Sequence, residues 1–98
     1  MTITKTQNGT ALTIALEGRL DTMTAPQLEA SLKESYDSAD SIVFDFSKLD
    51  YISSAGLRVL LSTHKLMSRK GGMKVTHVND ILQEVFEVTG FGDILDIE

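Results

Sequence analysis

Apolar and polar positions alternate sharply near the start of the chain. In residues 11–17, Leu12, Ile14 and Leu16 share one side and Thr13, Ala15 and Glu17 the other, the period-two pattern of a strand with one face in a core. Residues 2–7 form a companion arm. Asn8-Gly9 between the arms is a strong hairpin signal, because both residues tolerate positive φ. Gly18 ends the second strand, and residues 19–23 are a connection. The period then lengthens. Ala25, Leu28 and Leu32 make the buried stripe of a helix, with Glu29, Lys33 and Glu34 outside. Thr24 and Gln27 fit a capping box, and Pro26 is tolerated in the first turn.

After the break at Asp37-Ser38-Ala39-Asp40, alternation returns over residues 41–46, with Ile42, Phe44 and Phe46 on one face. A loop from Asp50 to Ser54 leads to the longest helical pattern, about residues 55–70, carrying Leu57, Leu60, Leu61 and Met67. Arg69 and Lys70 complement its C-terminal dipole, and Gly71-Gly72 ends it. Residues 73–78 form another strand. Asn79 or Asp80 caps a helix whose stripe is Leu82, Val85 and Phe86, with Gly90 just past its end and Phe91 placed to fold back. Residues 94–97 form a short edge strand.

The order ββαβαβα(β) predicts an α/β domain over residues 1–98, an N-terminal hairpin followed by right-handed βαβ units in an open mixed sheet. Alternation within the strands places the helices mainly on one face, since a sheet covered on both sides would carry continuous apolar runs. Loops after the carboxyl ends of the parallel strands then share an edge. That edge brings together Asp21 and Thr22, the stretch Asp50 to Ser54, and Asn79 with Asp80.

Composition narrows the function. The apolar fraction of 42% and charged fraction of 23% are those of an ordinary globular chain. A net charge of −5 gives no support to phosphate-driven nucleic-acid binding. The chain has no cysteine, hence no disulfide, thiolate metal site or thiol nucleophile. No apolar run approaches the roughly 18 residues of a membrane span, and the alternating N-terminus lacks a signal-peptide core, so a cytoplasmic location is expected.

Catalytic patterns are equally thin, and no enzyme activity is expected. Ile52-Ser53-Ser54-Ala55-Gly56 lacks the first glycine of a nucleophile elbow. His64 lies too far down the helix to activate Ser54, and His77 falls in a strand. There is no metal-binding spacing and no phosphate-cradling glycine loop, so no metal or cofactor is expected. Two serines nevertheless stand where a strand gives way to a helix, a place where free N–H groups favour negative charge. Gly56 in the first turn costs helix propensity, which either close approach of another chain or tight internal packing would explain.

Tyr51-Ile52-Ser53-Ser54-Ala55-Gly56-Leu57 resembles the signature of STAS-domain anti-sigma factor antagonists. Gly18-Arg19-Leu20-Asp21 leading to Thr24-Ala25-Pro26, the strand Ile42–Phe46, and Phe86–Phe91 with Ile94 resemble three further family segments in the same order. The resemblance implies a STAS-type mixed sheet and a regulator that works by partner switching. In that scheme the unmodified antagonist binds an anti-sigma factor that is also a serine protein kinase, freeing sigma. Phosphorylation of one serine ends the binding, and a serine/threonine phosphatase restores it. The modified serine lies two residues before the glycine, which maps onto Ser54. Many members carry aspartate immediately before it, where this chain has Ser53. The resemblance also implies partner contacts at Asp21, Thr22, Ser53, Ala55, Gly56, Leu57 and Arg58. Some similar STAS proteins are instead adaptor subunits, for example in lipid-transport assemblies, with no phosphorylation.

Overall fold

A computed structural model describes all 98 residues. The alternating arms form strand β1 (Thr2–Asn8) and strand β2 (Ala11–Leu20), paired antiparallel through the turn at Gly9, whose φ is +65°. Helix α1 (Ala25–Ser35), strand β3 (Ser41–Ile52), helix α2 (Ser54–Met67), strand β4 (Met73–Thr76), helix α3 (Asp80–Thr89) and the two-residue strand β5 (Asp96–Ile97) follow. A single turn of 3-10 helix at Phe91–Asp93 precedes β5. The strands lie side by side in chain order, and every pairing after the hairpin is parallel.

Sequential parallel strands with right-handed crossovers place all three helices on one face. The core agrees. Leu12, Ile14, Leu16 and Leu20 of β2 pack with Ile42, Phe44, Phe46, Leu49 and Ile52 of β3, and with Leu28, Leu32, Leu60 and Phe86 from the helices. The opposite sheet face carries Thr4, Thr13, Glu17, Val43, Asp45 and Thr76, none of them buried. This is the mixed sheet with helices on one side expected from the sequence.

Five elements have boundaries that differ from the sequence reading. Gly18 does not end β2. It adopts φ +105°, and the β2–β3 register shifts beside it, so the strand bends and continues to Leu20. β3 likewise runs on through Asp50, Tyr51 and Ile52, which were expected in a loop. β4 stops at Thr76 because His77 takes a left-handed φ of +59°. Helix α2 begins at Ser54, and the chain leaves it after Met67, where the Gly72 N–H donates to the Met67 carbonyl at 3.0 Å. The expected edge strand shrinks to Asp96–Ile97, with Leu95 buried ahead of it.

Thr24 also departs from expectation. Its side chain makes no cap bond to α1, and Gln27 donates to the Met1 carbonyl instead of completing a capping box. By contrast, Asn79 caps α3, accepting from the Leu82 N–H at 2.8 Å, and its amide donates to the Leu49 carbonyl at 3.0 Å. That second bond ties the start of α3 to β3. Gly90 closes the same helix at φ +78°, as a glycine after a helix end should.

Candidate functional site

The carboxyl ends of β2 and β3 are paired as far as Leu20 and Ile52, and the Ser53 N–H donates to the Leu20 carbonyl at 2.8 Å. The β2–α1 turn and the start of α2 are therefore fixed against each other by backbone bonds. One surface results, carrying Asp21, Thr22 and Thr24 from the turn and Ser53, Ser54, Ala55 and Arg58 from α2. Asn79 and Asp80, expected on the same edge, sit at the start of α3, held below the tip of β3 through Leu49.

Asp21 organises the turn. Its Oδ1 accepts from the Met23 N–H at 2.9 Å and the Thr24 N–H at 3.1 Å. The Thr24 hydroxyl accepts from the Asp21 N–H at 2.8 Å and donates to the Arg19 carbonyl at 2.8 Å. Thr24 is thus occupied inside the turn, which is why it does not cap α1. Partial desolvation pushes the Asp21 carboxyl up. The hydrogen bonds from Thr24 and Met23, with the Arg19 charge, outweigh it and hold the carboxyl below the ordinary aspartate range. Arg19 lies 3.7 Å from Asp21 and stacks over the Tyr51 ring at 4.4 Å.

The two serines divide their roles. Ser53 is the N-cap, in extended conformation, and its hydroxyl accepts from the Gly56 N–H at a long 3.4 Å. Ser54 is the first helical residue, exposed, and its hydroxyl makes no hydrogen bond within the chain. The Leu57 N–H already donates to the Ser53 carbonyl, whereas the N–H groups of Ser54 and Ala55 lie too early in the helix for an intrahelical acceptor. An accessible hydroxyl thus stands at the positive end of α2, free of structural duty.

Gly56 and Leu57, expected as partner contacts, are buried, Leu57 at 4% exposure. A β-carbon on Gly56 would lie 2.7 Å from Leu20 Cγ and 3.0 Å from Ile52 Cγ1. The glycine is therefore required by internal packing: it lets α2 settle on the tips of β2 and β3. Neither residue offers a side chain to a partner. The accessible surface comes from Thr22, Ser54, Arg58 and the half-buried Ala55.

Beside this surface runs a groove of about 460 Å³ between α1 and α2. Thr22, Pro26 and Glu29 line one wall, Ala55, Arg58 and Ser62 the other, with Tyr36 and Leu66 at the far end. Tyr36 and the buried Thr63 share a hydrogen bond of 3.1 Å that holds the two helices together. Three neighbours escaped the sequence reading: Met23, 86% exposed, and the stacked pair Arg19 and Tyr51. Arg19 and Tyr51 are register partners only because the β2–β3 pairing shifts twice by one residue; unshifted strands would set Arg19 opposite Leu49, so alternation alone could not have paired them. No group of three or more His, Cys, Asp or Glu could hold a metal ion, and no helix is long and apolar enough to cross a membrane.

Comparison with known proteins gives a consistent result. A family model described as "Mlab, STAS domain" matches residues 3–96. BtrV of Bordetella bronchiseptica, named as a candidate anti-sigma factor antagonist, is 38% identical over 88 residues, covering 88% of this chain and 76% of BtrV. The anti-sigma-B factor antagonist of Bacillus subtilis is 28% identical over 92 residues, covering 93% of this chain and 84% of that protein. Among solved structures, an anti-sigma factor antagonist from Mycobacterium paratuberculosis superposes with a TM-score of 0.88 at 23% identity, over 98% of this chain and 83% of that one. The phosphorylated form of the Bacillus cell fate determinant SpoIIAA gives 0.77 at 18% identity, over 99% and 91% of the two chains. These two superpositions establish the shared fold.

Proposed function

The chain belongs to the STAS-domain family, and from that membership we propose that it is an anti-sigma factor antagonist switched by phosphorylation of Ser54. The unmodified protein binds an anti-sigma factor with serine kinase activity through the surface of Asp21, Thr22, Ser53, Ser54, Ala55 and Arg58. That binding releases a sigma factor. The kinase phosphorylates Ser54, the complex separates, and a serine/threonine phosphatase resets the switch. The protein is the substrate in this cycle and performs no catalysis of its own.

One observation carries the reading: the Ser54 hydroxyl is exposed and unbonded at the start of α2 while Ser53 takes the cap. A phosphate adds about −1.5 to −2 charge and three acceptor oxygens. At Ser54 it breaks no internal hydrogen bond and meets the free N–H groups and positive end of the helix. The fold therefore tolerates the modification. Binding does not, because the added charge and bulk stand in the middle of the contact surface. The phosphorylated state of SpoIIAA shows that a protein of this fold accommodates the group.

Incubating the protein with ATP and its kinase, then mapping phosphate by mass spectrometry, tests the assignment. Label on Ser54, absent from Ser54→Ala and retained in Ser53→Ala, is the expected result. Label on Ser53 would overturn the division of roles. The alternative reading is a constitutive adaptor subunit. No labelling at all, with a partner that ignores Ser54 substitutions, would favour it.

A further inference from the structure

The chain's acidity is not evenly spread. Residues 1–74 hold eight carboxylates and nine lysines or arginines, a net +1. From Val75 onward there are six carboxylates, Asp80, Glu84, Glu87, Asp93, Asp96 and Glu98, and no lysine or arginine, a net −6. Only Glu98 of these six forms an ion pair, with Lys74 at 3.0 Å. Asp80, Glu84 and Glu87 lie on α3 at i, i+4 and i+7, so at about 100° per residue they form one exposed ridge.

Beside that ridge, one residue later at the same spacing, run Ile81, Val85 and Val88. Ile81 is 61% exposed and Val88 81% exposed, while Val85 is half-buried against the core. The core is served by a different line, Leu82 and Phe86. α3 thus carries three stripes: one buried, one apolar and uncovered, one acidic. Asp80 suits the first turn, but Glu87 stands in the last turn, where the dipole favours cations and no basic residue is present.

We propose that this outer face of α3 docks a segment of another protein that presents two or three aliphatic side chains beside a row of lysines or arginines. The aliphatic groups cover Ile81, Val85 and Val88, and the cations sit on the Asp80–Glu84–Glu87 ridge and relieve the uncompensated helix end. Charge decides between occupants. A second copy of this chain packed helix against helix would set one acidic ridge on another, and nucleic acid or an anionic membrane surface would be repelled. The face is carried by a different helix from Ser54, so the proposal stands apart from the phosphorylation reading.

The test titrates a synthetic helical peptide, with leucines at i, i+4 and i+7 flanked by lysines, into the isotope-labelled full-length chain, followed by amide chemical shifts. A control peptide carries glutamate for every lysine. The expected result is saturable shifts on Ile81, Glu84, Val85, Glu87 and Val88, weakening as salt rises and absent with the control. Ile81→Ser/Val88→Ser should weaken binding by about tenfold or more, and Glu84→Lys/Glu87→Lys should abolish it. Both pairs are at exposed positions, and an unchanged amide spectrum elsewhere verifies the fold. Shifts scattered over all surface carboxylates, or an affinity unaffected by the Ile81 and Val88 changes, would overturn the proposal. So would concentration-dependent self-association of the wild type lost in the Ile81/Val88 variant.

Discussion

Gly56→Ala separates two opposed explanations for a glycine in the first turn of a functional helix. If the glycine leaves space for a partner, alanine costs the isolated protein nothing and gains about 1 kcal/mol of helix propensity. The structure places that space inside. The new methyl would stand 2.7 Å from Leu20 Cγ and 3.0 Å from both Leu20 Cδ2 and Ile52 Cγ1. Leu20 and Ile52 are 0% and 1% exposed, and the nearest atom is the branch carbon of Leu20, not a flexible tip. Relief requires moving either the leucine off its rotamer or α2 off the sheet. Overpacking of this kind costs about 2 kcal/mol, so after the propensity gain the net loss is about 1 kcal/mol. For a domain of this size that lowers Tm by about 4–8 °C. Thermal unfolding and urea titration of the isolated protein measure it. Amide shifts should move at Asp21 and Ser53, which follow directly from the two displaced residues. An unchanged or raised Tm would refute the packing argument and return Gly56 to the partner surface.

Asn79→Ala should cost about 2 kcal/mol in urea unfolding, since it removes both a helix cap and the bond to the Leu49 carbonyl. Ser53→Ala should cost about 0.5 kcal/mol, because its cap bond is long. Equal losses would show that cap geometry is not what sets the difference. Asp45 supplies a pH dependence. The Ser47 N–H, opposed by desolvation and aided by the Ser47 hydroxyl, His77 and Lys48, holds its carboxyl below the ordinary aspartate range. A lowered native value means the contribution is complete above about pH 4 and is lost as pH falls through the native pKa. Urea unfolding between neutral and strongly acid pH should therefore show a shallower acid decline for Asp45→Asn than for wild type. A parallel decline would contradict the assignment.

Much of the fold is visible in the hydrophobic pattern because the hairpin and the first half of β3 keep strict alternation. What escapes is the part that builds the site. In β3 the buried residues run Ile42, Phe44, Phe46, Leu49 and Ile52, so the spacing slips from two to three after Phe46. Those slips match the register shifts against β2, each of which advances β3 by one extra residue. A bulged strand loses the period that identifies it. The same distortion makes Gly18 look like a terminator, and with it Arg19 and Tyr51 disappear as a pair. The positions of Asp21 in its turn and Ser54 at the helix start were legible from their motifs. The roles of Thr24 and Gly56 were not, because each depends on contacts made by a neighbouring strand end: the Arg19 carbonyl for Thr24, and Leu20 with Ile52 for Gly56.

On the proposed switch, one exposed hydroxyl controls partner binding without disturbing the fold. The direct test prepares the protein with phosphoserine at position 54 and measures its affinity for the cognate anti-sigma factor by calorimetry, alongside helical content by circular dichroism. A group of about −2 charge in a desolvated contact should weaken binding by about a hundredfold or more, with helicity and Tm equal to or slightly above those of the unmodified protein. Equal affinity of the two forms, or a phosphorylated form that has lost helix, would contradict it.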